Sequence, residues 1–238
     1  MTKISMLTIA LVASAGSAQV IDFESLPTRS TPSDNTELDR DMAFYSNGVG
    51  VTFGFDTDGD RVADLNAIIE ETGNNRPNGF FSTNAASGSD TPMFAGLGSY
   101  FLRHQTANGD NPHAFIISFD QPVAQTTGEI WDLDGRNDGT YEQWLVTGFD
   151  SNGSIVDQIE SPIGLVPSHE ASLDSMAWMF ALTANPAGDG INHVVIEHIG
   201  TAQGVGLAFD NFTAVAVPTP AAAAMLGIAG LGAARRRR

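Results

Sequence analysis

Two residue types, cysteine and lysine, are absent or nearly absent from the sequence, and the absence of cysteine excludes specific chemistry. None of the 238 residues is cysteine, so neither a disulfide framework nor thiol catalysis is available. Lys3 is the only lysine, and the other basic residues are ten arginines, four of them at the C-terminus. Stability must therefore come from a buried core, with bound metal as an additional source.

Charge of one sign dominates the central part of the chain. Residues 19–216 hold all 28 acidic residues and only six arginines, which gives this segment a formal charge of −22. Such a surface repels nucleic-acid phosphates and anionic membranes, so we expect neither as a partner. High salt would screen its self-repulsion, and divalent cations would neutralise clustered carboxylates.

The first residues have the layout of an export signal. Residues 1–18 contain Lys3, an apolar run over 4–13 and a small-residue end over 15–18. This order predicts a signal peptide that is cleaved before Gln19. The 19–216 segment is then the mature domain.

The last residues have the layout of a second targeting segment. Residues 221–234 are fourteen uncharged residues, followed by arginines at 235–238. As a helix the apolar run would span about 21 Å, against about 30 Å of membrane hydrocarbon. The arginines would hold that end on the cytoplasmic side. The pattern predicts a hydrophobic sorting helix that anchors the chain only transiently.

The tail at 217–238 resembles the PEP-CTERM sorting signal of exported bacterial proteins. Val217, Pro218, Thr219 and Pro220 form the short motif, with Thr219 where the name-giving form has glutamate. The resemblance implies processing by an exosortase-type peptidase. It also implies display at the cell surface or in an extracellular polysaccharide matrix.

The central segment predicts an all-β domain. Period-two runs bounded by Gly, Asn, Asp and Pro predict strands at 20–24, 50–55, 100–104, 114–120, 126–133, 143–150, 154–159, 177–182, 192–199 and 206–215. Residues 150–153 predict a hairpin turn, and 63–71 a single helical turn. We expect a jelly-roll-type β-sandwich, with a laminin-like or other sandwich as the alternative.

Four short runs in this domain resemble the β-sandwich bodies that precede such sorting tails. They are VIDFE at 20–24, SNGVGVTF at 46–53, GEIWDLDG at 128–135 and GLAFDNF at 206–212. Their layout is similar to carbohydrate-binding modules of the galactose-binding-like jelly-roll type. The resemblance implies a fold and a setting more than a particular ligand.

Calcium is the most specific chemistry that the sequence suggests. Aspartates 56, 58, 60 and 64 occupy positions 1, 3, 5 and 9 of a loop, with Val62 at position 7, where a backbone carbonyl is the usual ligand. The loop resembles those of thrombospondin type 3 repeats and dockerins. Arg61 stands at the sixth position, where glycine normally turns the chain. Ala67 stands at the twelfth, where Asn66 or Glu70 would have to replace an acidic ligand.

Two other acidic groups are candidate sites. In jelly-roll modules a structural calcium often joins the first and last strands, so Asp22 or Glu24 could meet Asp210 if those strands pair. The alternative is an edge-strand carboxylate in water. A third cluster, formed by Asp132, Asp134 and Asp138, could bind metal or sugar hydroxyls, or simply form a polar turn.

Carbohydrate binding would need an exposed aromatic ring beside hydrogen-bonding groups. Trp131 and Trp178 alternate with apolar residues and are predicted core. Trp144, near Tyr141, is the better platform candidate, although a core position is favoured for it as well. Arg136 is a candidate polar partner that no sequence pattern brings close to it.

No enzymatic motif stands out. The sequence has no Gly-x-Ser-x-Gly elbow and no phosphate-cradling loop. A carboxylate pair is uninformative where acidic residues are so abundant. We expect an exported, non-catalytic, calcium-stabilised β-sandwich that binds polysaccharide, with a structural matrix or scaffold protein as the alternative and a glycoside-acting enzyme as the weakest hypothesis.

Overall fold

The computed structural model describes residues 19–72, 96–104, 112–166, 168–170, 172–186, 188–203 and 208–218. These residues form eleven β-strands and no helix. The strands are β1 (Thr36–Leu38), β2 (Phe44–Ser46), β3 (Val49–Asp56), β4 (Leu65–Glu71), β5 (Tyr100–Arg103), β6 (Ala114–Leu133), β7 (Trp144–Phe149), β8 (Ile155–Glu160), β9 (Leu173–Thr183), β10 (Ile191–His198) and β11 (Ala208–Ala216).

Strand β6 is the longest, at 20 residues, and joins two groups of strands. Its first half pairs with β3 and β10, and its second half pairs mainly with β11 and β9. The partners change around residues 120–122, which are exposed. Pro122 has no N–H to donate, and a position between two sets of partners tolerates it.

Hydrogen bonding closes five of the strands into a ring. The path runs through β3, β4, β5, β11 and β6, and β6 returns to β3. The six remaining strands extend from this ring: β2 pairs with β3, β1 with β4, β9 with β6, and β10, β7 and β8 continue in that order from β6. All the pairings between these strands are antiparallel.

The main core is built around phenylalanine rings. Phe53 lies among four others, with ring centroids 5.2 Å from Phe23, 5.8 Å from Phe44, 6.0 Å from Phe115 and 5.1 Å from Phe212. All five rings are buried. Aromatic pairs at these separations add about 0.5–1.5 kcal/mol each beyond area burial. The core therefore ties β3 and β6 to both ends of the described chain.

A smaller apolar cluster lies on the outer side of β6, β7 and β10. Ile116, Phe149 and Val195 form it, and Ala63 packs against it from the loop between β3 and β4. That loop consequently lies across the outer face of the sheet. This placement positions the candidate site described below.

The all-β prediction is confirmed for the described residues. A five-stranded ring with six added strands does not by itself identify a jelly roll, and that finer assignment stays a prediction. The hairpin turn at 150–153 is confirmed, because Gly153 has φ of 77° and Asp150 and Ser154 share a 2.9 Å backbone hydrogen bond.

Three details of the strand prediction are wrong. Residues 63–71 contain no helical turn, because 65–71 form β4, which pairs with β1, β3 and β5. Residues 114–120 and 126–133 are one strand rather than two. Residues 20–24 form only a single bridge, between Ile21 and Phe212.

The two targeting predictions fall on parts of the chain that are not described. The signal peptide at 1–18 and the tail from Thr219 onward, including its predicted sorting helix, lie outside the described residues. Within the part of the chain that is described, no helix has the length and apolar character needed to cross a membrane.

Candidate functional site

The acidic loop (residues 56–64) brings three of its carboxylates together. Asp56 ends β3, and Asp64 precedes β4 and donates its backbone N–H to the Phe55 carbonyl at 2.9 Å. One oxygen each from Asp56, Asp58 and Asp64 lie within 4.8 Å of one another. Carboxylate oxygens are the ligands that calcium prefers, so these three residues fit that ion.

Asp56 holds the acidic loop in its folded form. Its Oδ1 accepts hydrogen bonds from the backbone N–H groups of Asp58 (3.0 Å) and Gly59 (2.7 Å), and its Oδ2 accepts one from Arg61 (2.7 Å). Burial raises the pKa of this carboxyl, but the three hydrogen bonds outweigh burial and hold its pKa below the usual value. Asp56 is therefore anionic at neutral pH.

The remaining carboxylates shape the loop as well. Asp64 Oδ2 accepts a 2.6 Å hydrogen bond from the Thr57 hydroxyl, and Asp60 Oδ1 accepts one of 2.8 Å from the Val62 backbone N–H. Asp60 lies outside the converging group of three. A carboxylate has about four lone-pair positions, so these bonds leave oxygen capacity for a cation.

Arg61 makes the turn that glycine normally makes at the sixth position. Its φ is 68°, in the left-handed region, which costs a non-glycine residue about 1–2 kcal/mol. The Asp56 hydrogen bond and a guanidinium carbon 4.4 Å from the Phe149 ring centroid offset this cost. Arg61 therefore differs from the calcium-loop pattern in residue type only, because its backbone makes the turn that glycine would make.

Within the described part of the chain, no acidic side chain replaces the ligand missing at the twelfth position. Ala67 is buried in β4. Asn66 donates its side-chain N–H to Glu37 at 2.9 Å, and Glu70 forms an ion pair with Arg103 at 3.9 Å. Glu70 does not belong to the converging group, so among the described residues three carboxylates converge at the acidic loop.

The second predicted metal site lies where the first described segment of the chain pairs with the last strand, β11. Ile21 and Phe212 exchange backbone hydrogen bonds of 2.8 and 3.0 Å. The predicted site requires the first and last strand segments to pair, and this bridge provides that pairing. It brings Asp22 and Glu24 into the electrostatic surroundings of Asp210.

Asp210 is a buried carboxyl without a partner. It is 1% exposed, and neither of its oxygens has a hydrogen-bond partner among the described residues. Burial is the main cause that raises its pKa to about 9, and the charges of Glu129, Asp22 and Glu24 contribute to the same rise. The Asn211 backbone N–H partly opposes this rise without reaching hydrogen-bond geometry. Asp210 is therefore protonated at neutral pH unless a cation lies beside it.

Glu24 faces a different set of groups. Its Oε1 accepts hydrogen bonds from the Ser99 backbone N–H, at 2.5 Å, and from that of Tyr100, at 3.1 Å. Within the described parts of the chain, the converging group of acidic oxygens is the one in the acidic loop. The acidic loop is thus the better formed of the two predicted metal sites.

The third acidic cluster has a different membership from the predicted one. Asp138 is exposed and accepts hydrogen bonds from Thr140, which describes a polar turn. Glu142, which we did not predict, is 3% exposed. Burial, followed by the charges of Asp134 and Asp132, raises its pKa to about 9. Glu142 directly precedes the strand predicted at 143–150, and this position was the sequence feature that indicated its burial.

The structure excludes Trp144 as a carbohydrate platform and confirms the core position that was weighed against it. Trp144 has no exposed surface and its ring lies against His198, with centroids 5.2 Å apart, so it cannot stack on a sugar. Tyr141 is half-buried and Arg136 is exposed, and the buried Trp144 provides no platform beside them. Strand alternation correctly placed Trp144 on one face of its strand, but it did not show that this face is turned toward the core.

Two open cavities were not predicted from the sequence. One, of about 290 Å³, is lined by residues 19–23, 25–27 and 29 and by Phe44 and Tyr45, of which Tyr45 is 56% exposed. We name it the Tyr45 cavity. Its tyrosine belongs to β2, a strand that the sequence did not predict, so the ring was not recognised as exposed.

The other cavity lies beside the acidic loop, and we name it the loop cavity. It has a volume of about 360 Å³ and is lined by Asp60, Arg61, Val62, Ala63, Ser118, Gly153, Asn192 and His193. Asn192 Oδ1 and His193 Nε2 are sealed from solvent and have no partner among the described residues. Each such atom costs about 1–3 kcal/mol.

Comparison with known proteins gives no family. No protein-family model matches the chain, and no curated protein matches it. Among solved structures it is similar to a DUF4465 family protein from Bacteroides caccae, with 12% identity and a TM-score of 0.49 over 84% of this chain and 100% of that one.

Two further solved structures show weaker similarity. The K2 cleaved adhesin domain of Lys-gingipain has 14% identity and a TM-score of 0.38 over 69% of this chain and 89% of that one. A family 11 carbohydrate-binding module of a Clostridium thermocellum cellulase has 8% identity and a TM-score of 0.27 over 78% and 96%. Similarities of this size carry no argument about function.

Proposed function

We propose that this chain is an exported, non-catalytic β domain that binds calcium in its acidic loop and polysaccharide on its surface. The observation that carries the calcium part is the convergence of Asp56, Asp58 and Asp64 oxygens within 4.8 Å. Unpaired carboxylates at that separation repel one another, and a divalent cation removes the repulsion. Glu24 and Asp210 are the secondary calcium candidates.

Charge supports polysaccharide over nucleic acid as the larger partner. The 19–216 segment has a formal charge of −22. A polyanion would be repelled at long range, whereas a neutral polysaccharide would not. The domain's own hydrogen-bonding groups, rather than its net charge, would then select the ligand.

Two strongly perturbed carboxyls among the described residues support a non-catalytic role. Glu142 and Asp210 each have a pKa of about 9, the range in which an acid catalyst would hold its proton at neutral pH. They are 3% and 1% exposed. A general acid must reach the atom that it protonates, and side chains this deeply buried do not reach a substrate.

The location and the finer fold assignment rest on the sequence. The signal-peptide pattern at 1–18 and the PEP-CTERM-like tail at 217–238 support export, processing by an exosortase-type peptidase and display at the cell surface or in the extracellular matrix. Before processing, the tail would hold the chain at the membrane. We propose the jelly-roll assignment on the body's sequence motifs.

Glycan-array binding of the full chain, with calcium and with chelator, tests this function. We expect retention of at least one neutral glycan in calcium. Failure to retain any glycan under either condition would leave the scaffold alternative in place. An unchanged melting temperature after chelation would remove the calcium part, because a ligand that binds only the folded state must raise stability.

A further inference from the structure

The Tyr45 cavity combines a buried apolar side with an exposed polar side. The buried part of its lining includes Ile21, Phe23 and Phe44. The exposed part includes Asp22, Ser25, Arg29 and Tyr45. Apolar walls with a few polar groups are the usual composition of a small-ligand site. The volume of about 290 Å³ is close to the lower limit of about 300 Å³ for such sites, which suits one small ring.

Tyr45 supplies this cavity with an exposed aromatic ring. It lies at the centre of β2, where its neighbours Phe44 and Ser46 are buried and Tyr45 is 56% exposed. Its partner across the ladder is Gly50, which has no side chain to cover the ring, and β2 pairs only with β3 among the described strands. A tyrosine ring offers a rigid apolar face at low entropy cost, and the apolar face of a pyranose can stack on it.

Two exposed side chains of opposite charge line the same cavity. Asp22 Oδ1 accepts the Glu24 backbone N–H at 3.2 Å, which orients the carboxylate. The Arg29 guanidinium forms no hydrogen bond or ion pair with another described residue. A carboxylate only accepts hydrogen bonds and a guanidinium only donates them. The cavity therefore presents both kinds of group at exposed positions.

Hydrogen bonds and core packing fix the segment that carries these groups. The Leu26 N–H donates to the Ser30 carbonyl at 2.9 Å, and the Arg29 N–H donates to the Leu26 carbonyl at 2.7 Å. Phe23 has a φ of 55°, which is rare for a bulky residue, and its ring packs on Phe44 with centroids 5.3 Å apart. Strain of this kind persists only where the surrounding packing determines it. The lining is thus preorganised, which reduces the entropy lost on binding.

We propose that the Tyr45 cavity binds one unit of a neutral polysaccharide, which stacks on Tyr45 and pairs its hydroxyls with Asp22 and Arg29. Sugar hydroxyls both donate and accept, so adjacent hydroxyls match a carboxylate and a guanidinium in one cavity. Asp22 and the formal charge of −22 on the 19–216 segment disfavour an anionic sugar. This assignment rests on the proposed polysaccharide binding and gives it a site.

The loop cavity is the weaker candidate for this ligand. Its described lining contains no tyrosine, tryptophan or phenylalanine. Its two unpartnered atoms, Asn192 Oδ1 and His193 Nε2, have essentially no accessible surface, so a ligand in that cavity cannot contact them. The Tyr45 cavity differs on both points, because its ring and its charged groups belong to exposed residues.

Affinity electrophoresis of the full chain in calcium tests the assignment, with β-glucan, galactomannan or arabinoxylan in the gel and a polysaccharide-free gel as the reference. Carboxymethylcellulose is the anionic comparison. Tyr45→Ala removes the ring, and Arg29→Gly removes the donor at a φ of 67°, which glycine adopts without strain. We expect a neutral polysaccharide to retard wild type. Each variant should bind about tenfold more weakly, as expected for loss of one ring contact or one hydrogen bond from a charged group.

Two control variants separate the ring contact from general effects. Tyr45→Phe keeps the ring and removes only its hydroxyl. Met179→Ala shortens another exposed side chain, on β9, which does not line the cavity. Both should bind within about twofold of wild type, a difference too small for a lost ring contact. A melting temperature close to that of wild type shows that each variant is folded, as expected for changes at exposed positions.

The outcomes distinguish the site from the function. Wild type retarded by no neutral polysaccharide would overturn the proposed polysaccharide binding itself. Wild type retarded, with folded Tyr45→Ala and Arg29→Gly retarded equally, would overturn the Tyr45 cavity alone. Equal losses in Tyr45→Phe and Tyr45→Ala would overturn stacking on the ring, and stronger retardation by carboxymethylcellulose would overturn the neutral-ligand class.

Discussion

Ile21 and Phe212 hold the two ends of the described chain together through a reciprocal pair of backbone hydrogen bonds. The carboxyl of Asp210, two residues from Phe212, is sealed in as a consequence and shares its electrostatic surroundings with Asp22 and Glu24. This pairing explains why an acidic residue in the last strand is among the most buried polar groups of the domain.

Asp210→Asn is expected to have opposite effects with and without calcium. In chelator at pH 9 the amide should stabilise the protein, because it removes a carboxyl that ionises at an unfavourable place. In calcium the variant should gain less stability than wild type if a cation binds at Asp210. Thermal melting checks both, with exposed Asp189→Asn as the control. Equal calcium increments in wild type and Asp210→Asn would exclude this second site.

Glu142→Gln should flatten the pH dependence of stability. The pKa of Glu142 is about 9 in the folded protein, against an ordinary value of 4.5. Between these values the folded state binds the proton more tightly, so the free energy of unfolding falls as pH rises from about 5 to 9. The slope from this one group is at most about 1.4 kcal/mol per pH unit.

Urea unfolding of wild type and Glu142→Gln in chelator, at intervals from pH 5 to 9, measures the difference. The control is Asp138→Asn, whose exposed carboxyl has a pKa lowered by hydrogen bonds from Thr140 and therefore titrates below this window. A decline in wild type that persists unchanged in Glu142→Gln would contradict the assignment.

Asp64→Asn should abolish most of the stabilisation by calcium. It removes one of three converging charges and leaves Asp56 free to hold the loop backbone. At a calcium concentration 100 times Kd, wild type should gain about 2.7 kcal/mol. Calorimetric melting with stepwise calcium addition measures this gain.

Asp60→Asn provides the matched control for the calcium experiment. Asp60 lies in the same loop but outside the converging group, and asparagine can still accept the Val62 N–H. It should retain most of the calcium gain. If the Asp60 and Asp64 variants lose equal amounts, the three-ligand geometry is wrong.

Gly128→Ala should destabilise the domain by about 1–3 kcal/mol through overpacking. A Cβ at this position of β6 would lie 2.5 Å from Phe212 and 2.7 Å from Phe180, both buried core rings. Gly96→Ala is the mild counterpart, because its nearest contact would be 3.4 Å. Chemical denaturation should separate the two, and similar losses would contradict tight packing around Gly128.

The sequence predicted strands well where alternation was strong and poorly where tertiary pairing decides. Residues 49–56 form β3 as expected. Residues 65–71 became a strand because β1, β3 and β5 pair with it, which no local pattern reveals. The sequence pattern divided β6 into strands at 114–120 and 126–133, but a change of partners between them keeps 114–133 one strand.

The candidate site was predictable in its ligands and not in its surroundings. Aspartate spacing located the acidic loop, since loop ligands are close in sequence. The loop cavity depends on the cross-strand pairing of His193 with Ser118. These two residues are 75 positions apart in the sequence, so no local pattern predicts that they are neighbours. Trp144 shows the same limit, because alternation assigns a face without saying what covers that face.

The 20-residue strand β6 has a consequence for how the chain reaches its native state. Its partners extend from β3, at Val49–Asp56, to β11, at Ala208–Ala216. Native contacts of such long sequence separation are formed slowly, typically over milliseconds to seconds in all-β proteins. We expect β6 to acquire its full set of neighbours only once β11 has been synthesised, so the fold forms late in synthesis.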